Sequence, residues 1–260
     1  MIAFGAIVPH GNPVFEQPEG PTRAAMERLA ERLRQSGAEA AILATPHGTH
    51  LDGHFGVVRS ALLSEHPNRF VGPEHLYEGR GEPELADACV RALQDEGLPA
   101  LGLTFGTTAA GDSVMPVDWG AGIPLWFLRI PAVVVTPCRA LSNEDHVRAG
   151  VALARATGGR RIAFVASADH GHGHGEDGPY GHSPHSQGYD DDVVDAIRRN
   201  ALAELVGWPP ERARAALADS LWQMLMLHGA LSDGAWDADL LSYEAPTYFG
   251  MAVASFMRKE

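Results

Sequence analysis

The chain has 260 residues, 45% of them apolar, a formal charge of −13 and two cysteines. That length and apolar content suit one large folded domain, and the acidic balance argues against a nucleic-acid backbone or an anionic membrane surface as partner. Two cysteines outside any CxxC exclude a disulfide framework and point to a reducing compartment, the cytoplasm; no apolar run approaches about 18 residues, and Met1-Ile2-Ala3-Phe4 lacks signal-peptide features, so neither a membrane span nor a leader is expected.

In chain order, Ile2 to Val8 is an unbroken apolar run of strand length. Thr22 to Gln35 follows as a helix, with Met26, Leu29 and Leu33 on one face and Gly37 beyond its end. Ala40 to Ala44 is the next strand and runs into Pro46-His47. Glu84 to Gln94 reads as a helix with Leu85, Cys89, Ala92 and Leu93 inward, and Pro99 to Thr104 as a strand. Ala132 to Thr136 is a buried strand; Ser142, with Asp145 three residues on, opens a helix to about Ala156. Arg161 to Ser167 is a further strand. Helices are expected at Asp191 to Leu205 and Pro210 to His228, and Phe249 to Phe256 closes the chain as a strand. This alternation predicts one α/β domain over residues 1–260, with a mainly parallel or mixed central sheet and helices on both faces. The active site then belongs at the C-terminal ends of the strands.

His10, in Pro9-His10-Gly11-Asn12-Pro13, and His47, in Pro46-His47-Gly48, each sit in a rigid turn directly after an apolar run. Two such turns after two parallel strands make both histidines candidate metal ligands. Glu244 is the one acid in the semi-apolar stretch Ser242-Tyr243-Glu244-Ala245-Pro246, where burial is costly unless it is paired or metal-bound; the alternative is a surface carboxylate. Two histidines and a carboxylate are the ligand set of mononuclear non-haem ferrous sites with open positions. His50 reads as a group behind the ligands or a substrate contact, because Gly48 and Gly53 oppose the helix that an i, i+3 pair with His47 would need. Asp118 either orients a ligand histidine or caps its own turn.

The segment from Ser167 to His174 offers His170, His172 and His174, whose ordinary pKa near neutrality suits proton transfer. Its Gly/His/Ser-rich continuation to Gln187 reads as a loop with a positioned first half and a mobile second half, where His182 and His185 face solvent or form a lid. Arg129 and Arg139 are candidate anchors for a substrate carboxylate, against the commoner fate of surface ion pairs. No GxGxxG follows the first strand, and there is no Walker loop or GxSxG elbow.

With these residues in view, the chain resembles the class III (LigB-type) extradiol ring-cleaving dioxygenases, the superfamily of the protocatechuate 4,5-dioxygenase β-subunit. The likeness is carried, in order, by Pro9-His10-Gly11-Asn12-Pro13, Pro46-His47, Asp118-Trp119-Gly120 with Pro124-Leu125, Ser167-Ala168-Asp169-His170-Gly171-His172, and Glu244 ahead of Pro246-Thr247-Tyr248-Phe249-Gly250. It implies Fe(II), with Mn(II) or Zn(II) as alternatives, held by His10, His47 and Glu244. It implies His172 as the acid–base group, with His170 competing because the segment reads Ser-Ala-Asp-His-Gly-His. His50, Asp118 and Tyr248 would stand behind the ligands or touch substrate; Trp119 stands where relatives often carry His. The implied reaction inserts both atoms of O2 into a catechol- or aminophenol-type ring and opens it. The expected partners are a small aromatic diol, O2 and further copies of the chain in a dimer or higher homo-oligomer, with no nucleic acid and no membrane. Two other readings use the same residues: a zinc hydrolase, and a non-catalytic metal- or ligand-binding module on the same fold.

Overall fold

The computed structural model describes residues 1–68 and 70–259. In chain order the strands are β1 (Ile2–Val8), β2 (Ala40–Ala44), β3 (Phe55–Val58), β4 (Leu62–Glu65), β5 (Glu78–Arg80), β6 (Ala100–Leu103), β7 (Val114–Val117), β8 (Ala132–Thr136), β9 (Ile162–Ser167), β10 (Trp236–Glu244) and β11 (Met251–Arg258). The helices are α1 (Pro13–Glu16), α2 (Pro21–Gln35), α3 (Pro83–Asp95), α4 (Trp119–Leu128), α5 (Asn143–Arg155), α6 (Ser186–Arg198), α7 (Pro210–Ala215) and α8 (Leu221–Ala230).

Eight strands form one mixed sheet in the order β10-β11-β1-β9-β2-β8-β3-β6. Its centre, β1-β9-β2-β8, is parallel. β11 is antiparallel to β1, and β3 is antiparallel to β8. The central strands are continuously apolar because both faces are covered. In β9, Ile162, Phe164 and Ala166 enter one core with α3, α5, α6 and α8, while Ala163 and Val165 enter a second core with α2 and α4. β5, β4 and β7 make a separate three-stranded sheet. This is the α/β architecture expected from the sequence.

Local signals explain most element ends. α2 starts with Pro21 at its first turn and stops before Gly37 at φ +67°. α5 carries the Ser142–Asp145 capping box. Trp119 to Leu128 is a helix despite Gly120, Gly122 and Pro124, because almost all of it is buried. Two expectations change. The helix expected from Asp191 starts five residues earlier, at Ser186, and ends at Arg198. The one expected from Pro210 to His228 is two helices, broken where Leu217 turns left-handed at φ +55°. Among the described residues, no helix is long and apolar enough to cross a membrane.

Candidate active site

The four parallel strands end at one edge, and each end carries a reactive side chain. His10 follows β1, Asp169 to His172 follow β9, His47 follows β2 and Arg139 follows β8. Because β1, β9, β2 and β8 are neighbours, these residues converge.

The Nε2 atoms of His10 and His47 face each other at 3.2 Å, with the rings edge to face. Asp219 Oδ2 lies 3.8 Å from each. One ligand atom from each of the three falls within 4.8 Å of the others. His10 is 2% exposed. Ser167 donates its hydroxyl to Gly120 O (2.6 Å), so its oxygen accepts from His10 Nδ1 (2.9 Å). That network assigns the proton to Nδ1 and leaves the Nε2 lone pair facing His47 and Asp219, with Asp169 Oδ2 also 3.5 Å away. Burial, reinforced by His47, holds the His10 pKa well below the ordinary imidazole value, so the ring is neutral. Asp169 Oδ1 accepts from the His10 backbone N–H at 3.1 Å; burial, then repulsion from Asp219, pushes its carboxyl well above the ordinary range.

This donor set fits a divalent cation. Asp219 turns Oδ2 toward the two histidines, while its Oδ1 is buried with no hydrogen-bond partner, so no protein donor balances this carboxylate, which is costly. With the His10 proton on Nδ1, the 3.2 Å approach of the two Nε2 atoms is bridged either by a proton on His47 Nε2 or by a cation that takes both lone pairs. A cation held by His10, His47 and Asp219 would satisfy all three, with neutral histidines as ligation requires.

Asp219 replaces Glu244 as the carboxylate of this group. β10 lies two strands out from β1, roughly 10 Å across the sheet. There Glu244 Oε1 accepts from the Thr22 N–H (3.1 Å) and the Thr22 hydroxyl, at the N-terminal turn of α2. The acid is paired, as partial burial requires, but with a helix start and not with the histidines. Asp219 was missed because the expected helix from Pro210 to His228 runs through it. The available signal is Asp219-Ser220 just ahead of Leu221 to Leu227, apolar but for Gln223, a helix-start pattern. Gln223 fixes the position, its Nε2 donating to Asp219 O (2.8 Å) and to Ser167 O (3.0 Å) at the end of β9.

A cavity of about 470 Å3 opens beside the group, lined by His47, His50, His172, Asp219, Trp222 and Tyr180, with Arg139 and Arg214 also in its wall. His172 stacks on Phe249 at 5.5 Å, and Tyr248 lies 6.1 Å away. His170 is fully buried behind the cavity, its Nδ1 3.1 Å from the Ser220 hydroxyl, and burial lowers its pKa. Of the two competing histidines, His172 is therefore the one at the cavity. Asp118 caps α4 through Gly120 N (2.9 Å) and also accepts from Gly48 N (2.7 Å), which pins the turn after His47 without touching its ring. Trp119 lies 4.8 Å from the His47 ring. A side chain on Gly120 would stand 2.7 Å from His47 Cδ2, which explains the glycine there. His182 and His185 are exposed. Arg129 lies in a different cavity, beside Trp126 and Tyr77.

Residues 5–254 match the family model of the catalytic LigB subunit of aromatic ring-opening dioxygenase. The chain belongs to the LigB family. It is 22% identical over 238 residues to protein CA_C1420 of Clostridium acetobutylicum, a match that takes in 89% of this chain and 51% of that protein. The chain thus spans about half the length of the curated relative it matches. Its fold is similar to the crystal structure of uncharacterized protein JW3007 from Escherichia coli K12, with TM-score 0.62 and 16% identity, over 97% of this chain and 99% of that one. Family membership accords with a metal-binding, ring-opening dioxygenase type at the level of the superfamily.

Proposed function

We propose that this LigB-family chain is a non-haem Fe(II)-dependent extradiol dioxygenase acting on a small aromatic diol. The supporting observation is the convergence of His10, His47 and Asp219 at one edge of the sheet, with His172 on the wall of the adjoining cavity. Ferrous iron on two histidines and one carboxylate would supply open positions for both diol oxygens and O2 and a route for electrons between them.

The protein's own groups would do the rest. Ser167 holds the His10 tautomer through its Oγ. Trp119 braces the His47 ring. His172 would take a proton from a diol hydroxyl and return it as the ring opens, since an imidazole at the cavity wall can both accept and donate a proton. Arg139 brings positive charge to the cavity and would favour a diol that carries a carboxylate, while Arg214 is paired with Glu211 (2.8 Å). The Arg139 guanidinium lies 4.7 Å from the centre of the Trp222 ring and forms no ion pair among the described residues, so its N–H groups are free for a ligand.

The test is anaerobic Fe(II) loading followed by O2 uptake and ring-opening assays on a panel of catechols and aminophenols. Wild type should yield coloured ring-opened products. His172→Ala should keep its iron and lose turnover by about 100-fold or more. Full turnover in that variant would remove His172 from the chemistry. Hydrolysis of an ester or amide with no O2 uptake would favour the zinc-hydrolase reading.

A further inference from the structure

The Gly171-His172-Gly173-His174 stretch falls in the half of the histidine loop expected to be positioned, and its backbone is fastened at every residue. His170 N donates to Gly250 O (2.8 Å), His172 N to Ala216 O (3.1 Å) and His174 N to Tyr248 O (3.0 Å). Gly171 N donates to Asp190 Oδ1 (2.7 Å), and Gly173 N to Ser186 Oγ (3.0 Å). Two of these acceptors are side chains from the first two turns of α6. Asp190 is fully buried and carries the most. Its Oδ2 accepts from the Tyr243 hydroxyl (2.8 Å) and from His174 Nε2 (2.9 Å). One carboxylate therefore grips the chain on both sides of His172 and anchors it to β10.

The glycines are shaped around this grip. A Cβ on Gly250 would stand 1.8 Å from Asp190 Oδ2, and one on Gly171 would stand 3.0 Å from Asp190 Oδ1 and 2.7 Å from Ser186 Cβ. Only bare backbone lets the loop, the start of β11 and the carboxylate approach so closely. A buried carboxylate held by three donors is also a stiff one, because each lost bond would leave it unsatisfied.

We infer that Asp190 is the positioning residue of His172, clamping the Gly171–His174 backbone so that the imidazole faces the cavity. The functional consequence rests on the reading of His172 as the proton acceptor; the clamp itself does not. Asp190 touches neither the cavity nor the three candidate ligands, so its effect should run through the loop alone.

The test uses the full-length chain. Asp190→Ala should lower kcat by roughly 100-fold, the scale for a reacting group misplaced by about an ångström. Bound iron per chain and KM for the diol should stay within about twofold of wild type. Asp190→Asn, which keeps an acceptor for Gly171 N, should recover about tenfold of the loss. Tyr243→Phe, which deletes one donor and disturbs the fold least, should cost a few-fold in kcat. In parallel, amide hydrogen exchange at residues 170–174 should speed up at least about tenfold in Asp190→Ala. Unchanged kcat and exchange, or a kcat loss that merely tracks lost iron or lost melting temperature, would overturn the inference. If wild type opens no diol ring, the dioxygenase reading falls and the exchange rates alone decide the clamp.

Discussion

Glu65 ends β4 with 4% of its surface exposed, accepting from Tyr77 N at 3.3 Å. Burial pushes its carboxyl from the ordinary 4.5 up to about 7. The folded chain then binds the extra proton between those values, so this group's contribution to stability falls as pH rises from about 4.5 through 7. Replacing it with an uncharged isostere should remove that slope. Glu65→Gln should be close to neutral at pH 4.5 and more stable than wild type by about 3 kcal/mol at pH 8, measured by urea unfolding at both pH values; an equal effect at the two would contradict the assignment. At the cavity, Arg139→Gln should weaken a carboxylated catechol roughly tenfold relative to 4-methylcatechol in anaerobic calorimetry, with Arg129→Gln as the unaffected control. Equal loss for both ligands would refute the anion role. His10 and His47 were legible because Pro-His-Gly after an apolar run leaves an imidazole little choice of place. Glu244 reads in the sequence as a metal ligand or a surface carboxylate, and sequence cannot tell either from an acid paired with a threonine at a helix start.

The helix that carries Asp219 at its start is held by close backbone contact. α8 crosses α5 where Gly150 and Gly229 leave no room: a Cβ on Gly150 would stand 1.9 Å from Met226 O, and one on Gly229 would stand 2.0 Å from Val147 O. Neither carbonyl can rotate away. The overpacking penalty therefore outweighs the roughly 1 kcal/mol that alanine normally gains over glycine in a helix. Gly150→Ala should destabilise by about 2 kcal/mol in urea unfolding. Gly188→Ala, in α6 with open space around it, should stabilise by up to about 1 kcal/mol; the same sign for both would contradict this packing account. At this scale the buried parallel strands are readable, since β1, β2, β8 and β9 are apolar apart from Thr136 and Ser167 at the ends of β8 and β9. β10 was not, because an edge strand keeps polar Asp237, Asp239 and Ser242 and shows no apolar run. Nor was the break between α7 and α8: the Ala-rich stretch from Arg212 to Ala218 favours helix locally, and tertiary packing overrides it.

Across the whole molecule, topology does what no local motif can. Placing β9 between β1 and β2 brings the ends of three parallel strands together, and the α7–α8 break delivers a carboxylate over them from the opposite end of the sequence. The same topology sends Glu244 two strands away. Sequence order therefore located the histidines and the sheet edge, while the third member of the group required the fold. The account stands on Asp219, with His10 and His47, being the cation's carboxylate. The direct measurement is iron bound per chain after anaerobic Fe(II) loading and desalting, in Asp219→Ala and Glu244→Ala side by side. The account predicts about one iron in Glu244→Ala, as in wild type, and little or none in Asp219→Ala. Full iron in Asp219→Ala together with its loss in Glu244→Ala would contradict it.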